Sequence, residues 1–137
     1  MSFVGKPSPD VSCVVAANPA TKTSLKKCFI KNKPTVVCFV SKTSSPVETN
    51  AAVQKMEEGK YQLKDKAVFV VISLDGTAKE AQTLNNEASI RNCTHLHSST
   101  KGKEFGINRT PAFVVIGADG KVKMQSEEEV ANFMAYV

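Results

Sequence analysis

The chain contains no tryptophan, and its four cysteines, at positions 13, 28, 38 and 93, never approach a Cys-x-x-Cys pair. That excludes a dithiol redox site in its usual form and the paired spacing of a zinc site. No apolar run approaches the ~18 residues a membrane-spanning helix needs, since the longest, residues 67–72, stops at Ser73. Residues 1–6 hold neither an apolar stretch nor a small-residue cleavage site, so no secretory leader is expected and the cytoplasm is the expected compartment. Glycine-rich phosphate loops are absent too, because Lys101-Gly102-Lys103 lacks the glycine array and the preceding strand. Aromatic residues are scarce, at 7%, and within residues 22–33 only Phe29 interleaves with the lysines, which gives no stacking platform for nucleic acid. No cofactor motif, repeat or low-complexity stretch is present.

What remains is ordinary globular material: 137 residues, 42% hydrophobic and 23% charged, enough for one domain and too little for two. The charge is uneven. Residues 1–33 carry six lysines against Asp10 alone, whereas residues 34–137 carry twelve basic and twelve acidic groups. The chain therefore reads as a single domain over 1–137, with a basic extension over 1–33 and a core over 34–137. Lys22, Lys26, Lys27, Lys31 and Lys33 are a solvated surface or a docking patch for an acidic partner, an attraction screened beyond ~8 Å in physiological salt.

Periodicity sets the order of elements. Residues 10–16 alternate weakly, as an edge strand would. Residues 22–31 place Leu25, Cys28 and Phe29 on one helical face. Residues 35–40, 67–74 and 111–117 are continuous β-branched and aromatic runs, as expected of strands covered on both faces. Ser45, Pro46 and Glu48 form a capping box that opens a helix, with Val47, Ala51 and Met56 on its buried face and Gly59 near its end. Residues 77–88 have helical periodicity, residues 89–96 are a weak strand, and residues 98–105 are a short helix closed by Gly106. Asp119-Gly120 is a hairpin turn, so residues 121–125 return antiparallel. A second capping box starts at Ser126, with Val130, Phe133, Met134 and Val137 on the inner face of a last helix. This β-α-β order implies parallel strands with right-handed crossovers and a mixed α/β sandwich.

With its punctuation, that order resembles the thioredoxin-like superfamily and its peroxiredoxin, redoxin and TlpA-like branch. Val4, Gly5, Lys6, Pro7, Ser8, Pro9 and Asp10 resemble the branch's G-x-x-a-P-d opening. Residues 33–41 resemble the strand that leads to its active site, Thr110-Pro111 its cis-proline, and Asp119-Gly120-Lys121 its closing hairpin. The resemblance spans nearly the whole chain and implies a three-layer α/β/α sandwich with a mixed central sheet and an N-terminal extension. It also implies a cis peptide at Pro111, with Thr110 beside the start of the Pro46 helix.

The resemblance places the active-site position in one of two registers. In the thioredoxin register Ser44 and Val47 replace the two cysteines around Ser45 and Pro46, and Thr43 stands where the family has tryptophan. In the peroxiredoxin register Ser45 takes the reactive position and Lys42 stands in for the threonine before it. Neither supplies a thiol. A serine hydroxyl is not ionised near neutral pH and cannot exchange disulfides, so Ser45 reads first as a helix cap.

Other chemistry-bearing residues carry competing readings. Cys93, His95 and His97 share one face of a strand and form a weak metal or thiol-activating candidate, set against chance alternation. Cys38 reads as an inert core thiol. Cys13 and Cys28 are either a regulatory pair or unrelated thiols, and no disulfide is expected among the four. Arg109, just before Thr110 and Pro111, is an anion-binding candidate or a solvent-facing loop residue. Two functions are compatible with these residues. The first is a redox-inactive protein-binding or assembly module that holds a partner protein or extended peptide at the Pro46/Pro111 surface. The alternative is a thiol oxidoreductase or peroxiredoxin-like antioxidant acting through Cys93 or Cys28. Neither membrane nor nucleic acid is an expected partner.

Overall fold

Three runs of β-branched and aromatic residues form the centre of a seven-stranded mixed sheet. The computed structural model describes residues 3–41, 43, 46–87, 93–127 and 132–137. In chain order the elements are β1 (Ser12–Val15), β2 (Asn18–Ser24), β3 (Thr35–Val40), α1 (Pro46–Leu63), β4 (Val68–Ser73), α2 (Ala78–Glu87), β5 (Thr94–His97), β6 (Ala112–Ile116) and β7 (Val122–Ser126). The strands lie in the order β2-β1-β5-β4-β3-β6-β7. Strands β3, β4 and β5 are parallel, β6 runs antiparallel to β3, and β7 returns antiparallel to β6 as the Asp119-Gly120 turn predicts. Every residue of β3 and β6 is buried, which is why both read as unbroken apolar runs.

Alternation along these strands builds two cores. Val36, Cys38, Val40, Val71, Phe113 and Val115 face α1, Leu84 of α2 and the C-terminal Phe133. Val37, Phe39, Val70, Ile72, Val114 and Ile116 face the other way, against Val11, Leu25 and Phe105. That second face is covered by 3₁₀ turns at Lys26–Cys28 and Lys103–Phe105 and by their loops, with the Phe105 ring 5.5 Å from that of Phe39.

Several expectations need correcting. Strand β1 is not an edge; β2 pairs along its outer side and takes that place. The helix expected over residues 22–31 is instead the end of β2 and one 3₁₀ turn after it. Pairing with β1 and the β-branched Thr21 and Thr23 override the local helical spacing. Leu25 is nevertheless fully buried, with Cys28 and Phe29 partly so, as that spacing required.

The buried stripe of α1 is Thr49, Ala52, Val53, Met56 and Gly59, so Val47 and Ala51 are exposed and Gly59 lies within the helix. Thr49 begins the stripe because its hydroxyl donates to the Ser41 carbonyl at 3.1 Å. Gly59 is small for a reason: a Cβ there would sit 3.0 Å from the rings of both Phe133 and Phe69.

Of the helix expected over residues 98–105 only the last turn forms, because Lys101 and Gly102 adopt positive φ angles of 58° and 78°. Gly106 closes it at φ 66°, as expected. Of the expected C-terminal capping box, Ser126 is instead the last residue of β7, and Glu128, Glu129 and Val130 lie outside the described residues. The chain ends in a 3₁₀ turn, Phe133–Tyr136, with Phe133 fully buried, Met134 half-buried and Val137 exposed. Helix α2 is capped through the Thr-x-x-Glu spacing of Thr77 and Glu80: Glu80 N–H donates to Thr77 Oγ1, and Thr77 Oγ1 donates to Glu80 Oε1, both at 3.1 Å.

Residues near the N-terminus run along the outer side of β7. Gly5 N–H donates to the Val122 carbonyl at 2.8 Å, Val122 N–H to the Lys6 carbonyl at 2.9 Å, and Ser8 N–H to the Gly120 carbonyl at 2.9 Å.

Candidate functional site

Parallel β3 and β4 end side by side at Ser41 and Leu74, and antiparallel β6 begins at the same edge just after Thr110 and Pro111. The Thr110-Pro111 peptide is cis, as the resemblance implied. Between these strand ends lies an open cleft of about 410 Å³, lined by Ser41, Lys101, Asn108, Arg109 and Thr110 over the apolar Leu74 and Ile107. Ligands of open α/β sheets gather at this carboxyl edge, where loops diverge and backbone groups are left unpaired.

Beneath the loop between β3 and α1 sits a buried carboxylate. Oδ1 of Asp75 accepts from Ser41 Oγ at 2.9 Å, Thr43 Oγ1 at 2.9 Å and Thr43 N–H at 3.2 Å. The Asp75 carbonyl accepts from His97 Nε2 at 2.6 Å. Asp75 thereby ties the loop leading to α1 onto the ends of β4 and β5. In the sequence Asp75 stands before Gly76 at the end of an apolar run, a pattern that marks a turn and does not reveal these hydrogen bonds. It also borders a second hollow of about 350 Å³ with Thr43, Glu80 and Thr83.

Ser44, Ser45 and Lys42 lie outside the described residues, so neither register of the active-site position is resolved by a side-chain contact. Pro46 is the first residue of α1, and Val47 is 74% exposed beside it. Cys93, His95 and His97 do not form a metal centre: among the described residues no group of three such ligands converges. Both His95 nitrogens are engaged, Nε2 with Ser73 Oγ at 2.6 Å and Nδ1 with Asn85 Oδ1 at 3.0 Å. Burial holds the His95 imidazole well below its ordinary range, at about 4, with His97 pushing the same way and Asp75 opposing.

All four cysteines are free thiols. Burial pushes Cys13 up to about 12, helped by Cys28, Glu104 and Asp10. Cys93 also rises to about 12 through burial and Glu57, with Lys60 opposing. Cys38 is raised by complete burial and then by Cys93, as an inert core thiol should be. Cys28, half-buried, is raised by burial and by Asp10. None has the electropositive, accessible setting that makes a reactive thiolate.

The redoxin family model matches residues 3–133. The chain belongs to the redoxin family. Solved structures place this redoxin in the thioredoxin-like fold. A thiol-disulfide oxidoreductase from Bacteroides fragilis has a TM-score of 0.74 at 16% identity, with 93% of each chain covered. A secreted disulfide oxidoreductase from Mycobacterium tuberculosis has a TM-score of 0.68 at 17% identity, covering 85% of this chain and 82% of that one. A peroxiredoxin-like protein from Aquifex aeolicus has a TM-score of 0.67 at 17% identity, covering 90% of this chain and 75% of that one. At such identities the likeness carries the fold alone. No curated protein matches the chain.

Proposed function

We propose that this redoxin is a redox-inactive binding module that holds an extended segment of a partner protein at the Pro46/Pro111 edge of its sheet. The observation that carries the reading is the separation of thiols from cleft. The cleft beside cis-Pro111 is lined by hydroxyl, amide and basic groups and by no cysteine, while the four thiols lie elsewhere with raised pKa values. In the thioredoxin register Ser44, Ser45, Pro46 and Val47 would take the dithiol position, and in the peroxiredoxin register Ser45 would take the reactive one; neither brings a cysteine. Backbone recognition of an extended chain needs no thiol. Four unpaired thiols suit a reducing compartment, so the cytoplasm belongs to the proposal.

The purified protein should neither reduce insulin disulfides nor consume peroxide, and it should bind extended peptides with an affinity that falls in Pro111→Ala. Steady turnover by wild type overturns the reading. The same assay tests the thioredoxin register: Ser44→Cys combined with Val47→Cys should create a disulfide and some reductase activity. A pair that oxidises only between molecules favours the register centred on Ser45.

A second reading keeps thiol chemistry and assigns it to Cys28, favoured by one observation: it is the one cysteine of the four that is not buried. A measured Cys28 pKa below ~7.5 would support it; the upward push from burial and Asp10 argues the reverse.

A further inference from the structure

Among the described residues, the lining of the cleft at the strand ends carries two cations and no carboxylate. Lys101 and Arg109 are both exposed, and among the described residues neither forms a salt bridge. Three described acidic side chains nearby are each engaged in hydrogen bonds. Asp75 accepts from Ser41 and Thr43, Glu104 accepts from the Thr100 hydroxyl at 2.7 Å, and Glu127 accepts the Asn108 N–H at 3.3 Å. Glu127 offsets part of the positive field from outside the lining, and the lining itself stays cationic.

The two cations sit on either side of the 3₁₀ turn at Lys103–Phe105, within the single loop that joins β5 to β6. Lys101 adopts φ 58° and Gly102 φ 78°, and a Cβ on Gly102 would lie 2.7 Å from Cβ of Ile107, leaving no room between the two limbs of that loop. Ile107 N–H donates to the Gly102 carbonyl at 3.1 Å and fixes the approach. Loops held before a ligand arrives leave less to be ordered on binding, so their charges act at lower entropic cost. Below the cations, Leu74 and Ile107 supply an apolar floor that suits the methylene stem of a side chain. Guanidinium matches a carboxylate with two parallel donors, and among the described residues no aromatic side chain lines the cleft to stack a base.

We propose that the cleft selects an acidic residue of the bound segment, seating its carboxylate between Lys101 and Arg109. The partner is thus an extended peptide with a glutamate or aspartate facing the cis-Pro111 edge. This inference rests on the peptide-binding reading of the cleft. It differs from docking on the basic N-terminal surface, because Lys26 and Lys27 belong to the turn after β2 and do not line this cleft.

The test uses the full chain and two fluorescein-labelled extended peptides that differ only in a central glutamate or glutamine, with binding read by anisotropy. The glutamate peptide should bind about tenfold more tightly, a ratio that shrinks as salt rises. Lys101→Asn with Arg109→Gln should bring the ratio to about one, asparagine being chosen because it tolerates positive φ. Lys26→Gln with Lys27→Gln should leave the ratio unchanged. Equal binding of the two peptides by wild type overturns the charge selection and leaves the peptide reading standing; binding of neither overturns both. A ratio lost in the Lys26/Lys27 variant and kept in the Lys101/Arg109 variant moves the selection to the N-terminal surface and refutes the proposal. Free glutarate that binds as tightly as the peptide refutes it too, making the cleft a small-anion site. Thermal melts of both double variants should match wild type, since all four side chains are exposed.

Discussion

The hydroxyl oxygen of Ser73 lies 2.6 Å from Nε2 of His95, bridging parallel β4 and β5 where both side chains are buried. Asn85 Oδ1 accepts at Nδ1, so that nitrogen carries the proton and Nε2 accepts from Ser73. The arrangement outlines a nucleophile, a base and an orienting group. Ser73 is fully buried, however, and it lines neither the cleft at the strand ends nor the hollow beside Asp75. Its work is structural: it satisfies a neutral imidazole inside the sheet.

That neutral state makes stability depend on pH. The unfolded chain protonates His95 near 6.5 and the folded chain near 4, so between those values the unfolded state binds more protons. The His95 contribution to stability should therefore be flat above about pH 7, fall as pH drops through the window, and lose on the order of 2–4 kcal/mol by pH 4. Urea unfolding at several pH values checks this against His95→Gln, whose curve should lack that share of the slope. Identical slopes in the two proteins would remove the claim.

Removing the carboxylate of Asp75 leaves three donors in the Ser41–Thr43 loop without their acceptor. Asp75→Ala should cost about 2–4 kcal/mol in urea unfolding, and Asp75→Asn less, because its amide oxygen still accepts. A neutral effect of Asp75→Ala would mean that solvent replaces the network.

Alkylation of the native protein by iodoacetamide at pH 8 should label Cys28 first and Cys38 last, read by mass spectrometry against time. Cys28 is half-buried whereas Cys38 is fully buried, and raised pKa values leave all four thiols mostly protonated. Each should react more slowly than free cysteine. Rapid labelling of Cys93 would contradict both its burial and its raised pKa.

Gly102→Ala should destabilise by about 1–3 kcal/mol, because it combines a positive φ with a Cβ in contact with Ile107. It should also weaken peptide binding, since the two limbs of the loop that carry Lys101 and Arg109 are held together there. A melting temperature equal to that of wild type would show that the two limbs separate freely.

Much of the fold was legible where physics is local. The runs over residues 35–40 and 112–116 are strands because nothing else accommodates so many β-branched side chains buried on two faces. Pro46 opens α1, and Asp119-Gly120 turns the last hairpin, for equally local reasons. Legibility failed where partners distant in sequence decide. Residues 22–24 join a strand because β1 lies alongside, although their spacing suits a helix. The stripe of α1 starts at Thr49, a polar residue that is buried because the Ser41 carbonyl accepts its hydroxyl. Of the site, Thr110, Pro111 and Arg109 could be read from the cis-proline resemblance. Asp75 and Lys101 could not, because one matters through hydrogen bonds across the sheet edge and the other through a backbone angle set by its neighbours.

The segment that runs from Phe3 to Ser8 pairs with β7, more than a hundred residues further along the chain. During synthesis this segment is made well before its pairing partner. Until β7 emerges it has no place to dock, and β7, once made, keeps a bare outer edge until the two meet. Closure of that edge thus waits on a contact far apart in sequence, after the central strands have been made. A chain that stalled before residue 122 would hold its central strands yet leave residues 3–8 unpaired, in reach of proteases and chaperones.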